Sequence, residues 1–137
     1  MNFIKQKIQN LYLIKPETFK DKRGSFRRAF CKKIYKFNKI SFNCVQTNIS
    51  ENLKKGTLRG FHFHKSLKKE NKIITCLSGK MFLCVVDLRR NSKTFLVKKN
   101  FILSNRNMHS VIIPAGCANA FLTLENNTTI YYLMDEY

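Results

Sequence analysis

Short apolar segments, rich in Ile, Val, Phe and Thr, limit this chain more than any other feature of its sequence. They cover residues 6–14, 42–49, 73–77, 81–88, 94–103, 110–113, 120–124 and 128–134. Turn-forming clusters separate them: Asp21-Lys22-Arg23-Gly24, Leu77-Ser78-Gly79-Lys80, Arg90-Asn91-Ser92, Pro114-Ala115-Gly116 and Glu125-Asn126-Asn127. Short strands at near-regular spacing predict an all-β sandwich or barrel. Residues 30–37 predict a helical turn or two. Segment 81–88 is apolar on both faces until Asp87, which predicts a fully buried strand. Segment 94–103 mixes Lys98, Lys99 and Asn100 into the pattern and reads as half exposed, near an edge. In 128–134, Tyr131 and Tyr132 must point to opposite faces, so one of them faces inward.

Composition sets the outer limits. At 137 residues the expectation is a single domain spanning 1–137, with enough chain to bury a core. Hydrophobic content of 44% with 12 phenylalanines argues against disorder. No run of 18 apolar residues occurs and no leader pattern is visible at the start, so a cytoplasmic protein without membrane association is expected. The five cysteines are scattered, with no C-x-x-C pair, against both a disulfide framework and a zinc ribbon. The net charge of +18 favours anionic partners. The lysines are spread along the chain, however, and no stacking motif of basic and aromatic residues is present. No nucleic-acid partner is expected; a nucleotide-linked small molecule fits the charge as well.

Chemistry concentrates in Gly56-Thr57-Leu58-Arg59-Gly60-Phe61-His62-Phe63-His64, which holds two of the three histidines. In a regular strand, His62 and His64 would share one face. Gly56, His62, His64, Glu70 and Gly79 nearly match the first motif of metal-binding cupins. The gap before Glu70 is long, and Asn119 stands after the Pro114-Ala115-Gly116 turn where a third histidine would be needed. Asparagine is a poor transition-metal ligand beside imidazole, so no metal and no other cofactor is expected. Acid–base chemistry is the better reading. A neutral His62 could take a carbon-bound proton beside a carbonyl, Tyr132 could return one from the opposite face, and Lys72 could stabilise the enolate oxygen. On spacing alone, His62 could equally be a core histidine, Tyr132 a filling aromatic and Lys72 a surface lysine.

From about Phe19 onward the chain resembles the dTDP-4-dehydrorhamnose 3,5-epimerase family of metal-free cupins. The resemblance is carried by Asp21-Lys22-Arg23-Gly24-Ser25-Phe26, Gln46-Thr47-Asn48, Gly56-Thr57-Leu58-Arg59-Gly60-Phe61-His62, Lys72-Ile73-Ile74, Gly79, Val86-Asp87-Leu88-Arg89, Ser92-Lys93-Thr94-Phe95, Ile113-Pro114-Ala115-Gly116 and Tyr131-Tyr132. It implies a jelly roll of the double-stranded β-helix type, usually a homodimer. It implies epimerisation at C3, C5 or both of a nucleoside-diphosphate 4-keto-6-deoxy sugar, in deoxysugar and cell-surface polysaccharide biosynthesis. It also implies roles: His62 as base, Tyr132 as proton donor, Lys72 as the cation near the keto oxygen. Arg59 and Arg23 would contact the nucleotide and its diphosphate, and Gln46 and Asn48 the substrate.

The chain departs from the family pattern in four places. Asn119 replaces a common histidine, as in some sugar-epimerase relatives, and implies an altered sugar site. Arg28 replaces a glutamate that touches the nucleoside, and His64 a common glutamine. The chain stops at Tyr137 where the family continues, which implies a shortened member or a fragment without the aspartate that orients the catalytic histidine. Glu51 or Asp87 would then have to supply that carboxylate. Two other activities compete. Arg59-Gly60-Phe61-His62-Phe63-His64 also resembles an element of short sugar-nucleotide 3,4-ketoisomerases. A binding module that holds a nucleotide sugar without turning it over is the other alternative.

Overall fold

Alternating inward and outward side chains build two facing sheets in the computed structural model, which describes residues 1–64 and 70–137. One sheet has six strands in the order β1 (Asn2–Lys5), β2 (Tyr12–Lys15), β10 (Ser110–Ile113), β7 (Lys72–Ser78), β12 (Thr128–Met134), β5 (Gln46–Asn52). The other has four, in the order β6 (Leu58–His62), β11 (Cys117–Thr123), β8 (Lys80–Asp87), β9 (Lys98–Ser104). A separate hairpin pairs β3 (Thr18–Asp21) with β4 (Gly24–Arg27), and one helix, α1 (Lys32–Phe37), follows it. Every pairing among the described residues is antiparallel. The result is the jelly roll expected from the sequence.

The inner faces of the two sheets enclose the main core. Leu11, Ile74, Val111, Ile113 and Ile130 come from or beside the six-stranded sheet, and Met81, Leu83, Val85, Phe101, Leu103 and Phe121 from the other. A second core seals the outer face of the six-stranded sheet. There Ile14, Ile73, Ile112 and Leu133 meet Tyr35 of α1, with Phe3, Phe30 and Phe42 packed around its ring. The central strands of this sheet are therefore covered on both sides, whereas the edge strand β5 leaves its outer face exposed. The tight turn between β7 and β8 needs Gly79, because it sits at φ +72 and a Cβ there would run into Thr128.

Several sequence expectations need adjustment. Segment 6–14 is not one strand: it is the turn that follows β1 and the start of β2, with Asn10 in the left-handed region at φ 64 and Leu11 N–H donating to the Ile8 carbonyl. Asparagine accepts that conformation at small cost, and the turn lets Ile8 and Leu11 both enter the core. Segment 94–103 is a strand only from Lys98. The hydroxyl of Thr94 is engaged by Asp87 in a loop that precedes it. The half-exposed edge position is as expected, since β9 ends its sheet. Strand β8 is not buried on both faces. Its inward residues are buried, whereas outward Phe82, Cys84 and Val86 are half-buried.

Candidate active site

His62 and Arg59 reach the interior through an irregularity in β6. Residues three apart in a regular strand point to opposite faces. Here His62 pairs with Asn119 and Arg59 with Phe121, and the register shifts between these pairs. A bulge takes up the extra residue, so both side chains share the inner side with Asn119 and Phe121. Gly60 makes this possible. It sits at φ +119, and a Cβ there would lie 2.7 Å from the Asn119 carbonyl oxygen and the Ala120 Cα. No other residue lets β6 approach β11 so closely. The strand ends at His62, so the alternation that would aim His64 at the same face does not extend to it.

Across the interior stand the inward residues of β5, β12 and β7. Tyr132 pairs with Asn48 on one side and Ile74 on the other, so all three share a face. One step along, Met134 lies between Gln46 and Lys72. The register thus assembles a polar row of Gln46, Asn48, Tyr132 and Lys72 opposite His62, Arg59 and Asn119. The two sheets are joined at this side by Arg59, whose Nε donates to Asn52 Oδ1 at 2.8 Å. Asn52 is buried and is itself fixed by donating to the carbonyls of Ser50 and Thr128.

The electrostatics separate the roles these groups can take. Burial pushes the Tyr132 phenol up to about 12, against the opposing pull of Arg59 and a Ser50 hydrogen bond. At neutral pH it is a proton donor and not a base. The Lys72 ammonium lies 2.6 Å from Glu70 Oε1, with both side chains largely buried. Gln46 Nε2 donates to the Glu136 carbonyl at 2.8 Å, and Asn48 Nδ2 contacts Met134 Sδ at 3.2 Å. Asn119 is buried, and its Nδ2 makes a long 3.5 Å contact with the His62 carbonyl.

Three expected participants fall elsewhere. Arg23 sits on the β3–β4 hairpin, highly exposed and paired with Asp21 at 2.7 Å. That hairpin springs from the outer face of the six-stranded sheet, where Phe19, Phe26 and Arg28 lie beside Met1 and Ile34. Within one chain Arg23 does not join His62 and Tyr132. Neither substitute acid is placed to orient His62. Asp87 is fully buried and accepts from Arg89, Ser92 and Thr94. Burial pushes its pKa up, but these hydrogen bonds outweigh burial and hold the carboxyl well below the usual carboxylate range. Glu51 is exposed and alternates outward between Ser50 and Asn52. Glu70, which the sequence offers as a metal ligand, is committed to Lys72.

Known proteins carry the same arrangement of chain. Residues 5–137 match the family model described as dTDP-4-dehydrorhamnose 3,5-epimerase. The chain belongs to the dTDP-4-dehydrorhamnose 3,5-epimerase family. Among this family's curated members, the Methanothermobacter thermautotrophicus protein is 34% identical over 134 residues, spanning 98% of this chain and 71% of the relative. The Salmonella typhimurium epimerase is 32% identical, over 100% and 75%. The Bacillus anthracis epimerase, crystallised with TDP and PPi bound, superposes with a TM-score of 0.96 at 34% identity, over 99% of this chain and 78% of that one. The Legionella pneumophila enzyme, in complex with dTDP-4-keto-L-rhamnose, gives a TM-score of 0.92 at 34% identity, over 99% and 72%.

Asn52 and Ser50 are the neighbours that sequence reasoning passed over, and Glu70 was read there only as a metal ligand. A signal for the first two existed. Gln46, Asn48, Ser50 and Asn52 form an unbroken polar alternation, which on a strand is one polar face.

Proposed function

We propose that this protein epimerises C3, C5 or both of a dTDP-linked 4-keto-6-deoxy sugar, as a step in deoxysugar and cell-surface polysaccharide biosynthesis. The observation that carries the reading is the meeting of two sheets. His62 from one and Tyr132 from the other face a common interior, in a chain of this epimerase family. The neutral His62 imidazole takes the proton from the carbon beside the C4 ketone. The C–H electron pair moves into the ring bond, and the carbonyl oxygen becomes an enolate oxygen beside the Lys72 ammonium. Tyr132 then gives its phenolic proton to the opposite face of that carbon and the ketone re-forms. Proton exchange with water restores both groups. Inversion needs a proton acceptor on one face and a proton donor on the other, and the two sheets supply one each. Gln46, Asn48, Arg59 and Asn119 line the approach and bind the sugar nucleotide.

We also propose a homodimer. Edge strands β5 and β6 carry Ile49, Leu58 and Phe61 exposed, with exposed Leu53 beside them, an apolar surface suited to a second copy. A second copy would give the Arg23 hairpin, with its exposed Phe19 and Phe26, a nucleotide to contact from outside its own barrel. A cytoplasmic setting agrees with five free cysteines.

The test is turnover in D2O. Product from dTDP-4-keto-6-deoxyglucose should carry solvent deuterium at each inverted carbon. Tyr132→Phe should still exchange the proton that His62 removes while losing inversion. A ketone moved to C3, or saturable binding with no exchange, would refute the proposal.

A further inference from the structure

Glu70 is an acid with no part in the reaction described above, yet it is among the few carboxylates buried in this protein. Its side chain is 5% exposed and its Oε1 lies 2.6 Å from Lys72 Nζ. We propose that Glu70 is a positioning residue for epimerisation: its carboxylate holds the Lys72 ammonium where the sugar's C4 oxygen gathers negative charge. The inference rests on the function proposed above.

Three observations carry it. First, a lysine ends a flexible four-carbon stem that samples many rotamers unless something fixes its head. The ion pair with Glu70 anchors that head, with Lys72 Nζ 2.6 Å from Glu70 Oε1. Second, Lys72 lies on the inner face, between Ile113 and Met134 in register and one step from the row that holds Tyr132. The ion pair is therefore at the reacting end of the interior and not on the surface. Third, the backbone between the two charges is clamped. Asn71 N–H and Nδ2 donate to the Asp135 carboxylate at 2.6 and 2.7 Å, and Asn71 Oδ1 accepts from Ala115 N–H at 3.0 Å. The start of β7 is so tied to the end of β12 and to the turn after β10. Asp135 is occupied by Asn71, which leaves Glu70 as the acid paired with Lys72 among the described residues. A buried pair of this kind is weak evidence for stability, and its place beside the site gives it a different use.

A double-mutant cycle on the full chain decides the matter. Wild type, Glu70→Gln, Lys72→Met and the double variant are compared for kcat and KM with dTDP-4-keto-6-deoxyglucose, after thermal melts establish folding. Loss of position should lower kcat of Glu70→Gln by about 10- to 100-fold, with KM changed by no more than about threefold. In the Lys72→Met background the same change should cost less than about twofold, because a residue acting through Lys72 has nothing left to position. Equal losses in both backgrounds, or a loss confined to KM, would overturn the inference while leaving the epimerase reading intact. A wild type that neither inverts nor exchanges would overturn that reading and this inference with it. Should Glu70→Gln fail to fold, Glu70→Asp replaces it. This variant keeps the charge but withdraws it by one methylene, and its kcat loss should vanish in the Lys72→Met background in the same way.

Discussion

The two sides of the barrel are woven from the same antiparallel, alternating strands and filled in opposite ways. On the side of β2, β10, β8 and β9 the inward residues include Val111, Met81, Leu83, Val85 and Leu103, all at 0% exposure. On the side of β5, β12, β11 and β6 the inward positions hold Gln46, Asn48, Tyr132, Asn119, Arg59 and His62, several of them open to solvent. Apart from the register shifts beside Gly60 and at Thr129, backbone pairing is alike on the two sides. Aliphatic side chains close one by excluding water, while polar side chains, several of them on the edge strands β5 and β6, keep the other open. Stability and chemistry should therefore separate cleanly under mutation.

His62→Ala strikes the open side alone. Removing a general base should lower turnover by about 10²- to 10⁴-fold, while the melting temperature moves by no more than about 2 °C, since an exposed imidazole contributes little burial. Steady-state kinetics and a thermal melt on one sample check both halves. A large melting shift would mean that the sides are not independent.

Asp87 is the polar exception on the closed side, and pH addresses it. Its pKa is lower in the folded chain than the ordinary value of about 3.9. Its contribution is therefore complete above about pH 4 and drains away as pH falls toward the folded value. Asp87→Asn should cost about 3–5 kcal/mol at neutral pH by stranding Arg89, and should flatten the loss of stability below pH 4. Urea titrations at pH 7, 4 and 3 measure this. Leu83→Ala tests the apolar filling itself and should cost about 2–5 kcal/mol, with kcat per folded molecule unchanged.

Strand positions were more legible in the sequence than the site they build. Segments 110–113 and 128–134 coincide with β10 and β12, because turn residues bound them and nothing inside competes with the alternation. Segment 94–103 lost its first third because the Ser92 and Thr94 hydroxyls turn toward Asp87, a partner that periodicity does not show. On the open side, His62, Tyr132 and Lys72 were named from chemistry and family resemblance, yet their meeting depends on a bulge beside Gly60 that no spacing rule reveals. Strand alternation would have turned Arg59 away from His62. Glu70 was visible only as a weak metal ligand, since an i, i+2 acid and lysine become a pair only once both are buried. Arg23 matched the family motif, but the hairpin that carries it stands off from the barrel.

The smallest expected effect compares two tyrosines on the two faces of one sheet. Tyr35 is 0% exposed in the outer core, and its hydroxyl has no hydrogen-bond partner among the described residues. Burial alone pushes its pKa well above the ordinary range. A buried hydroxyl with no partner loses its bonds to water and gains none in return. Tyr35→Phe keeps the ring contacts with Phe3, Phe30 and Phe42 and removes only that unpaired oxygen. Stability should stay level or rise by up to about 1 kcal/mol, with turnover unchanged. Tyr132 reverses both terms: its hydroxyl lies under the influence of Ser50 and Arg59 and faces the open side, so its Phe variant should lose inversion and gain no stability. Denaturant curves of the two variants, run together, read the contrast. A loss in Tyr35→Phe beyond about 1 kcal/mol would show that the outer core holds a partner for that hydroxyl, and the two faces would be more alike than their side chains indicate.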